Sequence, residues 1–180
     1  VVSSLEEADF VFGAVTDGSI EDVLGAGILG WMEYAINPDL SQIGIFNAAA
    51  WDRASGGDLE TGGRGFFTFL HEMGHGLGLA HPFEADRGDI LIPDSTQSAT
   101  GAYDLNQGVY SVMSYFAGYE TGEFDNVGVA ASPMALDIAV LQQYYGANMS
   151  TAIGDTIYEL PARNGTGVGW GAIWDAGGTD

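Results

Sequence analysis

The sequence predicts an α+β fold, on three observations. Segments rich in β-formers gather in the first third of the chain, a histidine-bearing segment with helix-forming residues and no proline follows, and a second helical segment with its own start and stop signals lies near the end. Taken in order, ADFVFGAV (Ala8 to Val15) reads as a first strand. ILGWMEYAI (Ile28 to Ile36) reads as a second, ended by Asn37-Pro38, and QIGIFNA (Gln42 to Ala48) as a third. The glycine-rich ASGGDLETGGRG, Ala54 to Gly65, is expected to form a loop. A helix is expected from about Phe66 to Leu77 within RGFFTFLHEMGHGL. Pro82 to Gly108 has little periodicity and reads as loop. The last helix runs from about Pro133 to Tyr145, with Ser132 as its cap, Pro133 in its first turn and Gly146 at its end. Met134, Ile138, Leu141 and Tyr145 recur at helical spacing and are expected in the core.

Composition narrows the class. A chain of 180 residues with 46% hydrophobic content suffices for one domain with a sizeable core. It has no uninterrupted apolar run of about 18 residues, so no membrane span is expected. Its first residues lack the basic and apolar regions of a signal peptide. The net charge is −21, with no lysine and four arginines, Arg53, Arg64, Arg87 and Arg163. Phosphate repulsion argues against nucleic acid as a partner. The acidic surface suits calcium binding, secretion into salty media, or solubility alone. There are no cysteines, so the fold uses no disulfides and no thiolate metal ligand.

The three histidines all lie in HEMGHGLGLAHP, His71 to Pro82. On a helix, His71 and His75 are one turn apart on one face and can aim at a single point. Glu72 is one step round from His71, flanking that point without occupying it. Gly78 can take positive φ and stop the helix, so that the chain turns back and His81 reaches the same point from outside. Three neutral imidazoles with an open fourth position describe a catalytic zinc site rather than a closed structural one. Zinc there would polarise water, and Glu72 would be the general base. The short pattern H-E-x-x-H is weakly specific, but all five fixed positions of H-E-x-x-H-x-x-G-x-x-H are present: His71, Glu72, His75, Gly78 and His81.

The long motif belongs to metzincins, which also carry a methionine-containing turn beneath the metal. YSVMSYF, Tyr110 to Phe116, supplies Met113 at 32 residues after His81. HEMGHGLGLAHP followed by SVMSY resembles the serralysin family of secreted metzincin zinc endopeptidases. SPMALDIAVLQQYYGAN, IGDTIY and IWDAGGTD resemble later segments of the same family. The resemblance runs from about Phe10 to Asp180 and is strongest from Gly63 onward. Matrixins share the histidine motif, but the tail favours serralysins.

The resemblance implies a metzincin-type zincin domain: a mixed twisted sheet, an active-site helix and a C-terminal helix around a substrate cleft. It implies a catalytic domain over residues 1–165, in which residues 1–80 lie above the cleft and residues 81–165 below it. Residues 166–180 would form a final strand and the start of a connection toward a calcium-binding β-roll that this chain lacks. It places the strand around Trp31 to Ile36 at the sheet edge, where an extended peptide substrate would dock by strand addition. It makes Met113 an apolar floor under the imidazoles. It makes Tyr115 a residue that ligates the resting metal and swings to the oxyanion during turnover, with core packing as its competing role. A calcium ion is implied between AIGDT and WDAGGTD, on Asp175, Asp180 and the carbonyls of Ala152, Gly154, Thr156 and Gly177. Here Ala152 departs from the family's arginine, and PARNGTGVG is shorter than usual. A silent peptide-binding domain of a larger secreted protein and a purely structural segment are the competing readings. Intact Glu72 argues against the first.

Overall fold

The computed structural model describes residues 8–17, 19–34, 41–51, 54–85, 90–116, 128–162 and 167–180. Three strands form a mixed sheet in the order β1-β3-β2: β1 is Phe10–Val15, β2 Gly30–Met32 and β3 Gln42–Asn47. β1 runs parallel to β3, pairing Phe10 with Gln42 through Val15 with Asn47, whereas β2 is antiparallel, pairing Trp31 with Ile45. All three expected strands exist, trimmed at their ends, and β2 is an edge as the resemblance implied. Ala35 and Ile36 of the second expected strand lie outside the described residues. The short helix α1, Ser19–Leu24, and a small hairpin of β4 (Ser95–Thr96) and β5 (Ala99–Thr100) add to the expected elements. Neither has enough residues to show a hydrophobic period.

Helix α2, Arg64–Gly76, packs on β2 and β3. Phe12 and Phe46 from the sheet meet Phe69 of the helix, with ring centroids 5.2–5.9 Å apart. Two helix glycines permit the close approach. A Cβ on Gly76 would lie 2.6 Å from Met32 Cε, and one on Gly74 would lie 2.4 Å from Met113 Sδ. The helix stops as the sequence predicts. Gly78 takes φ +93°, its N–H donates to His75 O at 2.9 Å, and the Leu79 N–H reaches back to Gly74 O at 2.9 Å.

Beneath α2 a second cluster holds Leu79, Val112, Met113, Ala130 and Met134, against which Leu70, Val140 and Leu141 pack. Met113 and Val112 are 1% exposed, so each contributes about 1.5–3 kcal/mol through burial. Helix α3, Ala135–Tyr145, starts later than expected and differs at its cap. The Ser132 hydroxyl donates to Pro133 O and accepts the Ala172 N–H, tying the chain end to this corner rather than capping the helix. Asp137 does the capping, accepting the Met134 N–H at 2.8 Å. Tyr145 is not core either. It is 63% exposed, and its hydroxyl donates to Leu77 O at the end of α2. In the tail, residues 167–180 form no helix or continuous strand, and their one strand-like pairing among the described residues is an isolated parallel bridge between Ala130 and Trp170.

Candidate metal centre and cleft

Helix α2 and the turn after it bring the three histidines together, each buried. His71 and His75 lie one turn apart, and the reversal at Gly78 returns His81 to their side. His81 Nε2 is 3.1 Å from His71 Nε2 and 3.2 Å from His75 Nε2. Every Nδ1 faces an oxygen: Val112 O at 2.8 Å for His71, Leu79 O at 2.9 Å for His75, and Glu84 Oε2 at 2.7 Å for His81. Glu84 Oε2 is close to His81 Nδ1 but makes no hydrogen bond with it, whereas the two backbone carbonyls assign the proton of His71 and His75 to Nδ1, which turns both Nε2 lone pairs toward His81 Nε2. They cannot satisfy each other. Nitrogens about 2.0–2.1 Å from a tetrahedral zinc would be roughly 3.3 Å apart, so spacing and donor chemistry both fit that ion. Burial, followed by the neighbouring His75 and His81, holds the His71 pKa down to about 3, which keeps the ring neutral as a ligand must be.

Glu72 is buried between α2 and the edge strand. A Cβ on Gly30 would lie 2.9 Å from its Cγ, so glycine leaves the space it occupies. Its carboxylate accepts the Met32 backbone N–H, yet burial dominates and pushes its pKa up to about 7. Glu33 N–H donates to Ile43 O and Asn47 N–H to Leu29 O, so the odd-numbered residues here bond to β3. By antiparallel alternation, Gly30 and Met32 turn their peptide groups away from the sheet, toward the cleft.

Tyr115 stands on the other side. Its ring centroid is 4.6 Å from that of His81, and the side chain is half exposed. Burial, then the charges of Glu84 and Glu72, push its phenol pKa up, so it is a donor at neutral pH. Met113 lies beneath, against the Gly74 backbone. Buried Asp137 holds this turn. Its carboxylate accepts from Ser111 Oγ at 2.6 Å and from the Val112 N–H at 2.8 Å, besides capping α3.

Two residues at this centre carried no sequence expectation. Glu84 sits three residues after His81 across a turn closed by Glu84 N–H to His81 O, with the Tyr34 hydroxyl 3.5 Å from its carboxylate. Asp137 reads in sequence as an ordinary acidic residue of a first helical turn. The remaining predicted site lies apart. The Ala152–Thr156 and Asp175–Asp180 turns do meet: the Thr156 N–H donates to Asp180 Oδ1 at 2.5 Å and the Thr179 N–H to Asp155 Oδ1 at 2.9 Å. Asp175 accepts from Gly177 N–H and Tyr158 OH. Among the described residues, the histidine triad is the one group of three His, Cys, Asp or Glu side chains that converges closely enough to hold a metal.

A mixed sheet, a helix packed on it and a buried three-histidine cluster beside a glutamate define a domain compatible with the zincin class. The chain belongs to the serralysin family. It is 34% identical to Serralysin B of Dickeya chrysanthemi over 196 residues, covering 99% of this chain and 38% of that protein. It is 35% identical to Serralysin of Proteus mirabilis over 158 residues, 82% of this chain and 30% of the relative. Against Serralysin C of Dickeya chrysanthemi identity is 41% over 122 residues, 63% of this chain and 25% of the relative. The chain thus spans well under half the length of these curated relatives. No family model matches it.

Proposed function

We propose that this chain is the catalytic portion of a secreted zinc-dependent endopeptidase, with His71, His75 and His81 as ligands and Glu72 as general base. One observation carries the reading: the three histidines converge, with His81 Nε2 3.1–3.2 Å from the Nε2 atoms of His71 and His75, whose Nδ1 atoms are held by backbone carbonyls, directly beside a buried glutamate on a strand edge. Bound by the three histidines, zinc would act as a Lewis acid on water and on the scissile carbonyl. Glu72, with its raised proton affinity, takes a proton from the attacking water and delivers it to the leaving amine. Tyr115 donates its phenolic hydrogen bond to the oxyanion that develops. The outward peptide groups of Gly30 and the Met32 carbonyl receive an extended substrate as an added strand, while the Met32 N–H stays with Glu72. Met113 floors the imidazoles.

Several further assignments belong to the same proposal. Residues 1–165 make the metzincin catalytic domain, 1–80 above the cleft and 81–165 below, and 166–180 lead toward a β-roll in a longer product. Secretion fits the family and the acidic surface, and no helix among the described residues is long and apolar enough to cross a membrane. Calcium at the paired tail turns is included, supported by their contact through Asp155 and Asp180. The deciding experiment is Glu72→Gln with bound zinc and casein turnover measured on one sample. Full zinc with turnover reduced to near background supports the assignment. Substantial turnover in the zinc-loaded variant removes Glu72 from the role.

A further inference from the structure

A cavity of ≈ 600 Å³ opens beside His71 and Glu72, large enough for a long side chain. Ile28, Leu29, Phe67 and Val129 give it apolar walls, and Arg64 lines it too. Helix α2 sets that arrangement, because Arg64, Thr68 and His71 fall on one face at steps of four and three. Seven residues separate Arg64 from His71, about 10 Å along the axis. Arg64 is exposed and lines the cavity about two turns from His71, so a side chain entering from the reacting bond runs along the apolar walls toward it.

The charge there runs against the rest of the molecule. Net charge is −21, and the other three arginines lie outside the described residues. Among the described residues no carboxylate is ion-paired with Arg64. A guanidinium stays charged at any working pH and forks onto a carboxylate, while the apolar walls exclude water from the stem of a bound group. On the remaining acidic surface a carboxylate is repelled. In this pocket it finds its counter-ion.

Resting on the peptidase reading above, we infer that the pocket beside Glu72 selects a substrate carboxylate through Arg64. That carboxylate has two sources, an acidic side chain next to the cleaved bond or the free end of a short peptide. One fluorogenic sequence carries Glu, Gln or Lys at each of the two positions on either side of the cleaved bond. A second pair ends two residues beyond the bond in a free acid or an amide. Relative kcat/KM is read on the zinc-loaded enzyme, and binding of the same peptides is read on Glu72→Gln.

The expected result is Glu over Gln at one position by roughly fivefold, the scale of a solvent-accessible ion pair. The preference should shrink as salt rises. Arg64→Gln abolishes it, and Arg64→Glu turns it toward Lys, with melting temperature checking that both variants fold. A preference for free acid over amide without any Glu effect assigns the carboxylate to the chain end. Equal cleavage of Glu and Gln peptides at all positions, and of acid and amide, overturns the inference and leaves the peptidase reading standing. If nothing is cleaved, the peptidase reading fails, and binding decides: Glu-selective binding lost in Arg64→Gln sustains the inference, and equal binding ends it.

Discussion

His71 joins burial to chemistry, and its titration exposes both. Unfolded, its ring takes a proton near pH 6.5; folded, it resists until about pH 3. A depressed folded pKa means that its contribution is fully present above the unfolded value and is lost as pH falls. In the metal-free protein that loss is roughly 1.4 kcal/mol per pH unit below about pH 6. Glu72 works in the opposite sense. Its pKa is raised from 4.5 to about 7, so its contribution is complete below 4.5 and disappears as pH rises through 7. The measurement is therefore a difference, thermal melting of wild type minus His71→Gln, in chelator, from pH 7 to pH 4. A gap that narrows with acid is expected, and a constant gap would mean that His71 titrates normally. Tyr115 is tested separately. Tyr115→Phe should keep zinc and fold while kcat falls roughly 10²-fold, the cost of one oxyanion donor. Unchanged kcat in zinc-loaded protein would return Tyr115 to packing against His81 and Phe83.

Local rules read α2 well because local chemistry determines it. A helix-forming segment, two histidines four apart and a glycine at the reversal are all written within fifteen residues. The start of α3 escapes the same rules because its partners are distant. Ser132 looks like a cap, but its hydroxyl is engaged at Pro133 and at Ala172, forty residues on. Apolar residues surround α3 rather than forming a stripe, so periodicity does not say that Tyr145 faces out. Asp137 is hidden for the same reason, since its partners Ser111 and Val112 belong to the methionine turn. That carboxylate connects two elements, and its loss should be felt in both. Asp137→Ala leaves the Val112 and Met134 N–H groups and the Ser111 hydroxyl without their acceptor, at about 1–3 kcal/mol per buried group. The expected outcome is at least about 2 kcal/mol lost in urea unfolding, together with weaker zinc retention. Asp137→Asn keeps one acceptor oxygen and should lose less. Equal loss in both variants would point to charge rather than acceptor count.

Across the whole molecule, electrostatics and the tail meet in one prediction. A chain with 25 acidic residues and four arginines repels itself, and that repulsion is screened by any salt. Calcium should do more than screen if the tail holds it. The Ala152–Thr156 and Asp175–Asp180 turns are already crossed by reciprocal carboxylate-to-amide bonds, Asp180 to Thr156 and Asp155 to Thr179. Gly178 allows the approach: it has φ +118°, and a Cβ there would lie 2.3 Å from Gly154 O. These contacts are exposed and contribute little alone, so an ion taking six to eight oxygens would change the tail's grip on the domain. Calcium should therefore raise the melting temperature beyond an equal ionic strength of sodium chloride, and a calcium-selective chelator should reverse the gain. In Asp175→Ala with Asp180→Ala the excess should vanish while the salt response remains. If the double variant keeps the full calcium response, the ion binds elsewhere and the turns are held by their hydrogen bonds alone.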